Sequence, residues 1–285
     1  MTTTTTTSEH PRTDHSRLLH RHCLRARMVC ENPVHVGTGS TTDVQATSDM
    51  AVARDGQGRP YVPGSSFRGA LRSGLEALLL GLQPPGAPWR VCDPLKRQLG
   101  QPDTSCSFAI AEKRKDKEGL TEDDAWQLAD DGSCEICTLF GHTFLASRVW
   151  IADLTLDPEN PSVLTYNRDG VGIDRDLRAA AGNILYSFEA VPADTAFELR
   201  IDLENAADHE VGLILTGLDL FDKGVIGIGG KRARGLGQVK IKGLEVVRWT
   251  AADFFDPDSA GQTLNDTVLK GFRARAREHY MQGGC

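Results

Sequence analysis

Apolar and polar residues alternate along several stretches of this chain, as they do in half-buried β-strands. The first stretch is Cys23 to Glu31, and four more follow at residues 148–156, 184–191, 195–203 and 236–249. Elsewhere apolar residues recur at helical spacing, which predicts helices over residues 67–82, 211–221 and 267–280. The main elements follow the order strand, helix, strand, strand, helix, strand. This order predicts an α+β, ferredoxin-like fold, which is also the topology of the RRM-type fold.

Long polar segments divide the chain around this pattern. The threonine-rich residues 1–21 predict a disordered lead-in, and residues 22–250 predict one domain. Within that domain we expect two insertions, a cysteine-bearing one over residues 84–147 and a second one over residues 157–183. The final segment, 251–285, combines an acidic loop with a basic helix.

Composition narrows the class of protein. A hydrophobic fraction of 40% in 285 residues is enough for a substantial core. No run of eighteen apolar residues could cross a membrane, and the N-terminus lacks the apolar stretch of a secretion signal. We therefore expect a cytoplasmic protein. The net charge of −7 opposes nucleic-acid binding for the molecule as a whole, but lysine and arginine are clustered, and binding depends on the local patch.

Seven cysteines in such a chain are better explained by metal binding or burial than by disulfides. Cys134 and Cys137 have the Cys-x-x-Cys spacing of a zinc knuckle, and Cys92 and Cys106 lie upstream in the same insertion. We expect these four thiolates to bind one structural zinc ion, with His142 as the substitute for Cys92. A redox pair is the competing interpretation. A redox motif of this kind opens a helix after a strand, whereas this one follows an Asp-Asp-Gly-Ser segment.

The segment Gly224–Ile241 alternates glycines with cations before it becomes a strand. Glycine tolerates positive φ and lets another backbone come close, and Lys231, Arg232 and Arg234 place charge at that point. The combination suits a polyanionic backbone lying across exposed amides. The segment has neither the Gly-Lys-Ser/Thr of a P-loop nor the third glycine of a dinucleotide fingerprint. A hairpin loop with solvated charges is the alternative.

Four segments in a fixed order make the chain resemble RAMP-superfamily proteins, specifically the backbone subunits of type III CRISPR effector complexes. They are His35–Gly39, Tyr61–Arg72, Gly170–Glu189 and Gly227–Gly237. The resemblance implies an RRM-type fold with a zinc-bearing insertion and a thumb hairpin at 157–183. It also implies a filament in which copies of the chain, or other RAMP subunits, stack along a guide crRNA together with other type III effector subunits. Complementary target RNA would pair with that guide.

The resemblance further implies which residues contact RNA. The start of the first helix, which Ser65 or Ser66 can cap, would offer free amides and a positive dipole end to phosphate. The thumb would wedge between guide and target. The residues expected to bind RNA are Gly37, Gly39, Ser65, Ser66, Arg68, Arg72, Arg168, Arg175, Gly229, Gly230, Lys231, Arg232 and Arg234.

Catalysis in this family rests on one aspartate in the loop after the first strand. This loop offers Asp43 and Asp49, and Asp49 has the family spacing, six residues ahead of the Arg-Asp turn at Asp55. The resemblance therefore implies that Asp49 supports cleavage of target RNA by its own 2′-hydroxyl, with Mg²⁺ or another divalent ion. The chain would then be an endoribonuclease of antiviral defence.

Three alternatives remain. The chain could be a non-catalytic crRNA-binding scaffold of the same complex. It could be a guide-processing RAMP endoribonuclease that uses His35 as a base, although a histidine at a strand end is more often structural. It could also be a zinc-stabilised protein-interaction module without RNA, and such a module would show no salt-dependent RNA binding.

Overall fold

The computed structural model describes residues 17–37, 50–84, 86–87, 89–92, 105–115, 119, 121–159 and 163–281. The predictions for Gly39, Asp43 and Asp49 fall outside these residues. The first strand begins at His20.

The described part of the chain forms strands and helices in the following order. The strands are β1 (His20–Cys30), β2 (Val149–Ile151), β3 (Tyr166–Ile173), β4 (Ala180–Ala190), β5 (Ala196–Glu204), β6 (Val239–Thr250) and β7 (Gln262–Thr263). The helices are α1 (Gly64–Leu82), α2 (Cys106–Lys115), α3 (Glu122–Gly132), α4 (Glu135–Phe140), α5 (Asp208–Asp222) and α6 (Asp266–Met281).

Five strands form an antiparallel sheet in the order β2-β5-β1-β6-β7. The central strand β1 pairs with β5 along almost its whole length and with β6 on its other side. One β-α-β unit consists of β1, α1 and β2, the other of β5, α5 and β6, and their strands interleave in the sheet. This arrangement confirms the predicted α+β, ferredoxin-like fold.

The alternation in β1 reflects the two faces of this sheet. Leu24 and Met28 are buried in the same cluster as the apolar faces of α1 and α5. Within that cluster the rings of Phe67 and Phe221 stack with their centroids 4.8 Å apart, joining the two helices. The opposite face of β1 and β5 carries ion-paired side chains. The core therefore lies between the sheet and the helices.

β3 and β4 form a separate two-stranded sheet. Their pairing runs from Tyr166 opposite Ala190 to Ile173 opposite Ala180. The strand expected at residues 184–191 therefore belongs to a hairpin with β3 and not to the main sheet. Alternation of apolar residues indicates a strand but carries no information about its partner.

The C-terminal helix α6 packs along α5, and Arg273 forms a bidentate ion pair with Asp219 at 2.8 Å for both bonds. The helix thus closes the layer of helices above the sheet. Among the described residues, no helix is long and apolar enough to span a membrane.

Candidate nucleic-acid interface and metal centre

A groove of about 740 Å³ runs between α1 and residues 224–238, the glycine-rich loop that precedes β6. Ser65, Ser66 and Ser73 line the groove from α1, while Gly229 and Arg232 line it from the loop. The wall formed by α1 is rich in serine, glycine and alanine, so a partner's backbone can come close to the helix. Two segments far apart in the sequence therefore meet at one surface.

The start of α1 differs from the expectation. Pro63 is the N-cap, so Ser65 and Ser66 lie in the first turn and do not cap the helix. The amide of Gly64 donates to Asp153 Oδ1 at 2.7 Å. The expectation of amides open to phosphate is therefore wrong for the first amide, because a carboxylate already occupies it. The serine side chains remain part of the groove.

Backbone contacts hold the glycine-rich loop against the segment after β1. The amides of Gly230 and Gly237 donate to the carbonyls of His35 and Pro33, both at 2.9 Å. Gly229 has φ +77°, and a Cβ at this position would overlap the carbonyl oxygen of His35. Only glycine fits at this close approach, because any side chain would push the loop away from the segment after β1.

Two of the three cations of this loop, Lys231 and Arg234, lie beside aromatic rings of β4. Lys231 adopts a left-handed backbone with φ +61° and is followed by a 3₁₀ turn over Arg232–Arg234. The ammonium of Lys231 lies 5.0 Å from the ring centre of Tyr186 and 5.5 Å from that of Phe188. The guanidinium of Arg234 also lies 5.0 Å from the Tyr186 ring. These cation–π contacts join the loop to the hairpin and orient its positive charge.

Glu189, next in β4, is buried and fully engaged. Its carboxylate accepts hydrogen bonds from the amide of Val52 at 2.9 Å and from the side chains of Arg54 and Thr165. Burial alone would raise the pKa of Glu189, but the hydrogen bonds and the charge of Arg54 outweigh it and lower the pKa. Glu189 thus stays ionised and fixes the chain just after the loop of the candidate catalytic aspartates.

The described residues on either side of the loop that contains Asp43 and Asp49 lie near the glycine-rich loop. Residues 38–49 lie outside the described part. Before them, Gly37 pairs with Val52, and after them Met50 pairs with Phe188. Phe188 also contacts Lys231 of the glycine-rich loop. The described residues that flank 38–49 therefore lie close to the glycine-rich loop.

His35 is buried and lies between the segment after β1 and strand β4. Its Nδ1 donates to the carbonyl of Glu189 at 2.7 Å, and its ring meets Phe188 edge-on with centroids 5.7 Å apart. The ring therefore joins the segment after β1 to β4. This environment agrees with the structural role that the sequence favoured for His35.

The β3–β4 hairpin carries the two arginines expected in the thumb. Arg168 is half-buried within β3, and Arg175 is exposed in the turn between the strands. Around them Val171, Ile173 and Leu177 are 49%, 58% and 78% exposed, so apolar side chains are presented to solvent. The RNA contacts of both arginines stay predictions.

Arg68 and Arg72 have different partners from the expected phosphates. Arg68 donates to the carbonyl of Phe140, and Arg72 donates to the carbonyl of Gly141 at 3.2 Å. Arg72 also reaches Cys137 Sγ at 3.5 Å. Both guanidinium groups thus lie at the C-terminal end of α4, where carbonyls and the helix dipole attract cations. They connect α1 to the cysteine-bearing insertion.

The four predicted zinc ligands lie together. Cys92, Cys106, Cys134 and Cys137 are buried, and their Sγ atoms all lie within 4.8 Å of one another. The sulfurs of Cys92 and Cys137 are 3.5 Å apart, and the amide of Cys134 donates to the sulfur of Cys106 at 3.2 Å. Zinc at 2.3 Å from four tetrahedral thiolates would separate the sulfurs by about 3.8 Å. The cluster can therefore hold a metal ion of this size.

The thiols of the cluster interact strongly with one another. Hydrogen bonds among them lower the pKa of Cys134 and raise the pKa of Cys92 and Cys137, so without a metal ion the four sulfurs share their protons unequally. The predicted substitute ligand, His142, instead places Nε2 2.7 Å from Ser133 Oγ. Gly141 ends α4 with φ +73° and has backbone of Ser147 at 2.6 Å from where a Cβ would lie, so glycine is needed to turn the chain there.

Tyr186, Phe188 and Glu189 have no role that the sequence predicts, although all three shape this interface. The alternation in β4 shows that Tyr186 and Phe188 share a face. Their cationic partners come from a loop more than forty residues later in the chain, and no local pattern predicts that pairing.

Comparison with known proteins identifies a family that the chain matches. A model described as the RAMP superfamily matches residues 27–240, three quarters of the chain. The match includes the groove, the glycine-rich loop and the four cysteines. No curated protein matches the chain.

Proposed function

The chain belongs to the RAMP superfamily, and on that premise we propose that it is a backbone subunit of a type III CRISPR effector complex that binds guide crRNA. Membership of this superfamily implies a CRISPR-associated, RNA-binding protein. The assignment to the backbone of a type III effector complex rests on the resemblance of the four segments and on the groove.

The groove between α1 and the glycine-rich loop is the observation that carries this proposal. It combines small side chains on one wall with glycines and the exposed Arg232 on the other. An RNA backbone needs close access to amides together with positive charge that is not already neutralised. The side chains of Lys231 and Arg234 extend this charge onto the hairpin through the Tyr186 ring.

We further propose that the subunit cleaves target RNA with the help of Asp49. The reacting 2′-hydroxyl would attack the adjacent phosphorus, lose its proton and release the 5′-oxygen of the next nucleotide, leaving a 2′,3′-cyclic phosphate. Support comes from the described residues on either side of 38–49, which lie beside the glycine-rich loop and β4.

The implied divalent ion for cleavage finds no site among the described carboxylates beside this loop. Both oxygens of Glu189 already accept hydrogen bonds from Val52, Arg54 and Thr165. Such an ion would therefore depend on Asp43 or Asp49 and on phosphate oxygens.

We propose a zinc ion for the four-cysteine cluster, in a structural role. Four buried thiols and no open coordination position suit a closed structural site rather than a catalytic one. Elemental analysis of the purified protein tests this proposal. One equivalent of zinc that is lost in Cys134→Ser is expected, and a difference of less than about half an equivalent between wild type and this variant would contradict the proposal.

The guide-binding proposal is tested by the nucleic acid that copurifies with the protein and by the salt dependence of its RNA affinity. Short RNAs of uniform 5′ sequence are expected. Lys231→Asn or Arg232→Gln should weaken all sequences alike and reduce the salt slope by about one phosphate each. Asparagine tolerates the left-handed backbone at position 231. Lys270→Gln on α6 is the matched control. Absence of salt-dependent RNA binding would favour the zinc-stabilised interaction module instead.

A further inference from the structure

A second group of metal-binding side chains lies outside the groove and the cysteine cluster. Glu135 at the start of α4, His209 in the first turn of α5 and His279 near the end of α6 bring one ligand atom each within 4.8 Å of the others. All three are half-buried. Two imidazoles and one carboxylate are the ligands of open zinc sites, in which water takes the fourth position.

The hydrogen bonding of this group is incomplete. His279 Nε2 is inaccessible to solvent and has no hydrogen-bond partner within the described ranges. It lies 3.7 Å from Glu135 Oε1, which is too long for a hydrogen bond. The other oxygen of Glu135 accepts a hydrogen bond from Tyr280 at 3.3 Å, which orients the carboxylate. A buried nitrogen and a carboxylate oxygen therefore face each other across a gap that a small cation can bridge.

We propose that Glu135, His209 and His279 bind a divalent transition-metal ion of the zinc class. The imidazole rings of His209 and His279 stack with centroids 4.1 Å apart and planes at 20°. A metal ion lies close to the plane of each imidazole that binds it, so one ring turns out of the stack when the ion enters.

The position of this site gives it a structural consequence. The helix α6, which supplies His279, lies beyond the family match at residues 27–240. Glu135 directly follows Cys134 of the cysteine cluster. A metal ion here would therefore fasten the C-terminal helix to the cysteine-bearing insertion, a connection separate from RNA binding. The proposal stands independently of the proposed function.

The test is a titration of the full-length protein with Zn²⁺, followed by calorimetry and by the midpoint of thermal unfolding. We expect one equivalent of Zn²⁺ to bind only when both histidines are present, and its binding should raise the midpoint of thermal unfolding. His209→Phe and His279→Phe keep an aromatic ring in the stack but remove the ligand, and each should weaken this equivalent at least about tenfold. Glu278→Gln, which removes an exposed neighbouring carboxylate on α6, should change nothing.

Cobalt distinguishes this site from the cysteine cluster. Co²⁺ bound to imidazole and carboxylate lacks the intense thiolate-to-metal absorption that the four cysteines would give. A histidine-dependent equivalent without that absorption supports the proposal. Uptake of Zn²⁺ that is the same in wild type, His209→Phe and His279→Phe overturns it. If a phenylalanine variant fails to fold, Glu135→Gln replaces it, and unchanged affinity there is equally decisive against the site.

Discussion

Arg72 donates to Cys137 Sγ at 3.5 Å and to the carbonyl of Gly141 at 3.2 Å, so it contacts both a proposed zinc ligand and the helix end beside it. A partner of this kind orients a ligand and stabilises its negative charge. We predict that Arg72→Gln weakens zinc affinity about 10–100-fold, measured by competition with a chelator of known affinity. Arg68→Gln is the matched control, since Arg68 donates to a carbonyl and a hydroxyl instead.

A different outcome would restore the interpretation from the sequence. If Arg72→Gln kept its zinc affinity but lowered the salt slope of RNA binding by about one, Arg72 would contact phosphate. The spacing of four residues correctly predicts that Arg68 and Arg72 share a face of α1. What covers that face could not be predicted, because α4 comes from an insertion about seventy residues later.

The glycine-rich loop permits a comparison at the scale of an element. Gly229 and Gly235 both have left-handed backbones, with φ +77° and +78°. A Cβ at Gly229 would overlap the His35 carbonyl, whereas a Cβ at Gly235 would meet nothing within 4 Å. We predict that Gly235→Ala costs only about 1 kcal/mol of backbone strain, while Gly229→Ala costs more and displaces the loop.

Urea unfolding and RNA binding measure the two effects separately. Gly229→Ala should lower RNA affinity at least about tenfold, because the loop would lose its contact with the segment after β1. Gly235→Ala should leave RNA affinity nearly unchanged. Equal losses of affinity in both variants would indicate that the backbone conformation matters and that the close approach to His35 does not.

The elements themselves show where sequence patterns succeed and where they stop. α1 and β1 follow a strong periodicity, and both boundaries fall within a few residues of expectation. α2 and α3 were not predicted; α2 is short and has little amphipathic periodicity, whereas α3 is amphipathic and could have been recognised. The capping box formed by Thr121 and Asp124 was a local signal for α3 that the sequence did carry.

At the scale of the whole molecule, His22 links stability to pH. Its side chain is buried in β1, and neither ring nitrogen has a hydrogen-bond partner in the described part of the chain. Burial, together with the charges of His20 and Arg248, lowers the pKa of His22 from 6.5 to about 3. Between these values the unfolded chain binds a proton that the folded chain does not. The contribution of His22 to the free energy of unfolding is therefore fully present above about pH 6.5 and decreases as the pH falls towards 3.

We predict that this residue contributes a slope of up to about 1.4 kcal/mol per pH unit below pH 6. Denaturant unfolding at several pH values, compared between wild type and His22→Leu, measures it. Acid also protonates the cysteines and would release a bound metal from both proteins, so only the difference between them is informative. The stability advantage of wild type over His22→Leu should shrink with falling pH, and a constant difference would contradict the prediction.

The family and the fold could be predicted from the sequence because they depend on patterns spread over the whole chain. The four cysteines could be recognised as a candidate metal site because two of them have the spacing of a zinc knuckle and the other two lie upstream in the same insertion. The contacts of Lys231 with Tyr186, and of Glu189 with Arg54, could not be predicted. They join segments that only the folded β3–β4 hairpin brings together.

Cleavage of target RNA is proposed for the assembled complex, and Asp49 is the residue on which it is predicted to depend. The next residue, Met50, pairs with Phe188, and Phe188 contacts Lys231 of the glycine-rich loop. The chain on the C-terminal side of Asp49 is therefore fixed beside the surface proposed to hold guide RNA. We predict that Asp49→Ala abolishes target cleavage and leaves guide binding and assembly intact.

The mutant should also bind target RNA at least as tightly as wild type, because removing a carboxylate from a polyanionic site reduces repulsion. A denaturing gel of labelled complementary RNA, incubated with the assembled complex, measures cleavage, and Asp43→Ala is the matched control from the same loop. Full activity in Asp49→Ala would exclude its catalytic role, and loss confined to Asp43→Ala would move that role upstream. If wild type cuts no target while the RNA remains bound with the expected salt dependence, the subunit is a scaffold, because guide binding and cleavage depend on different residues.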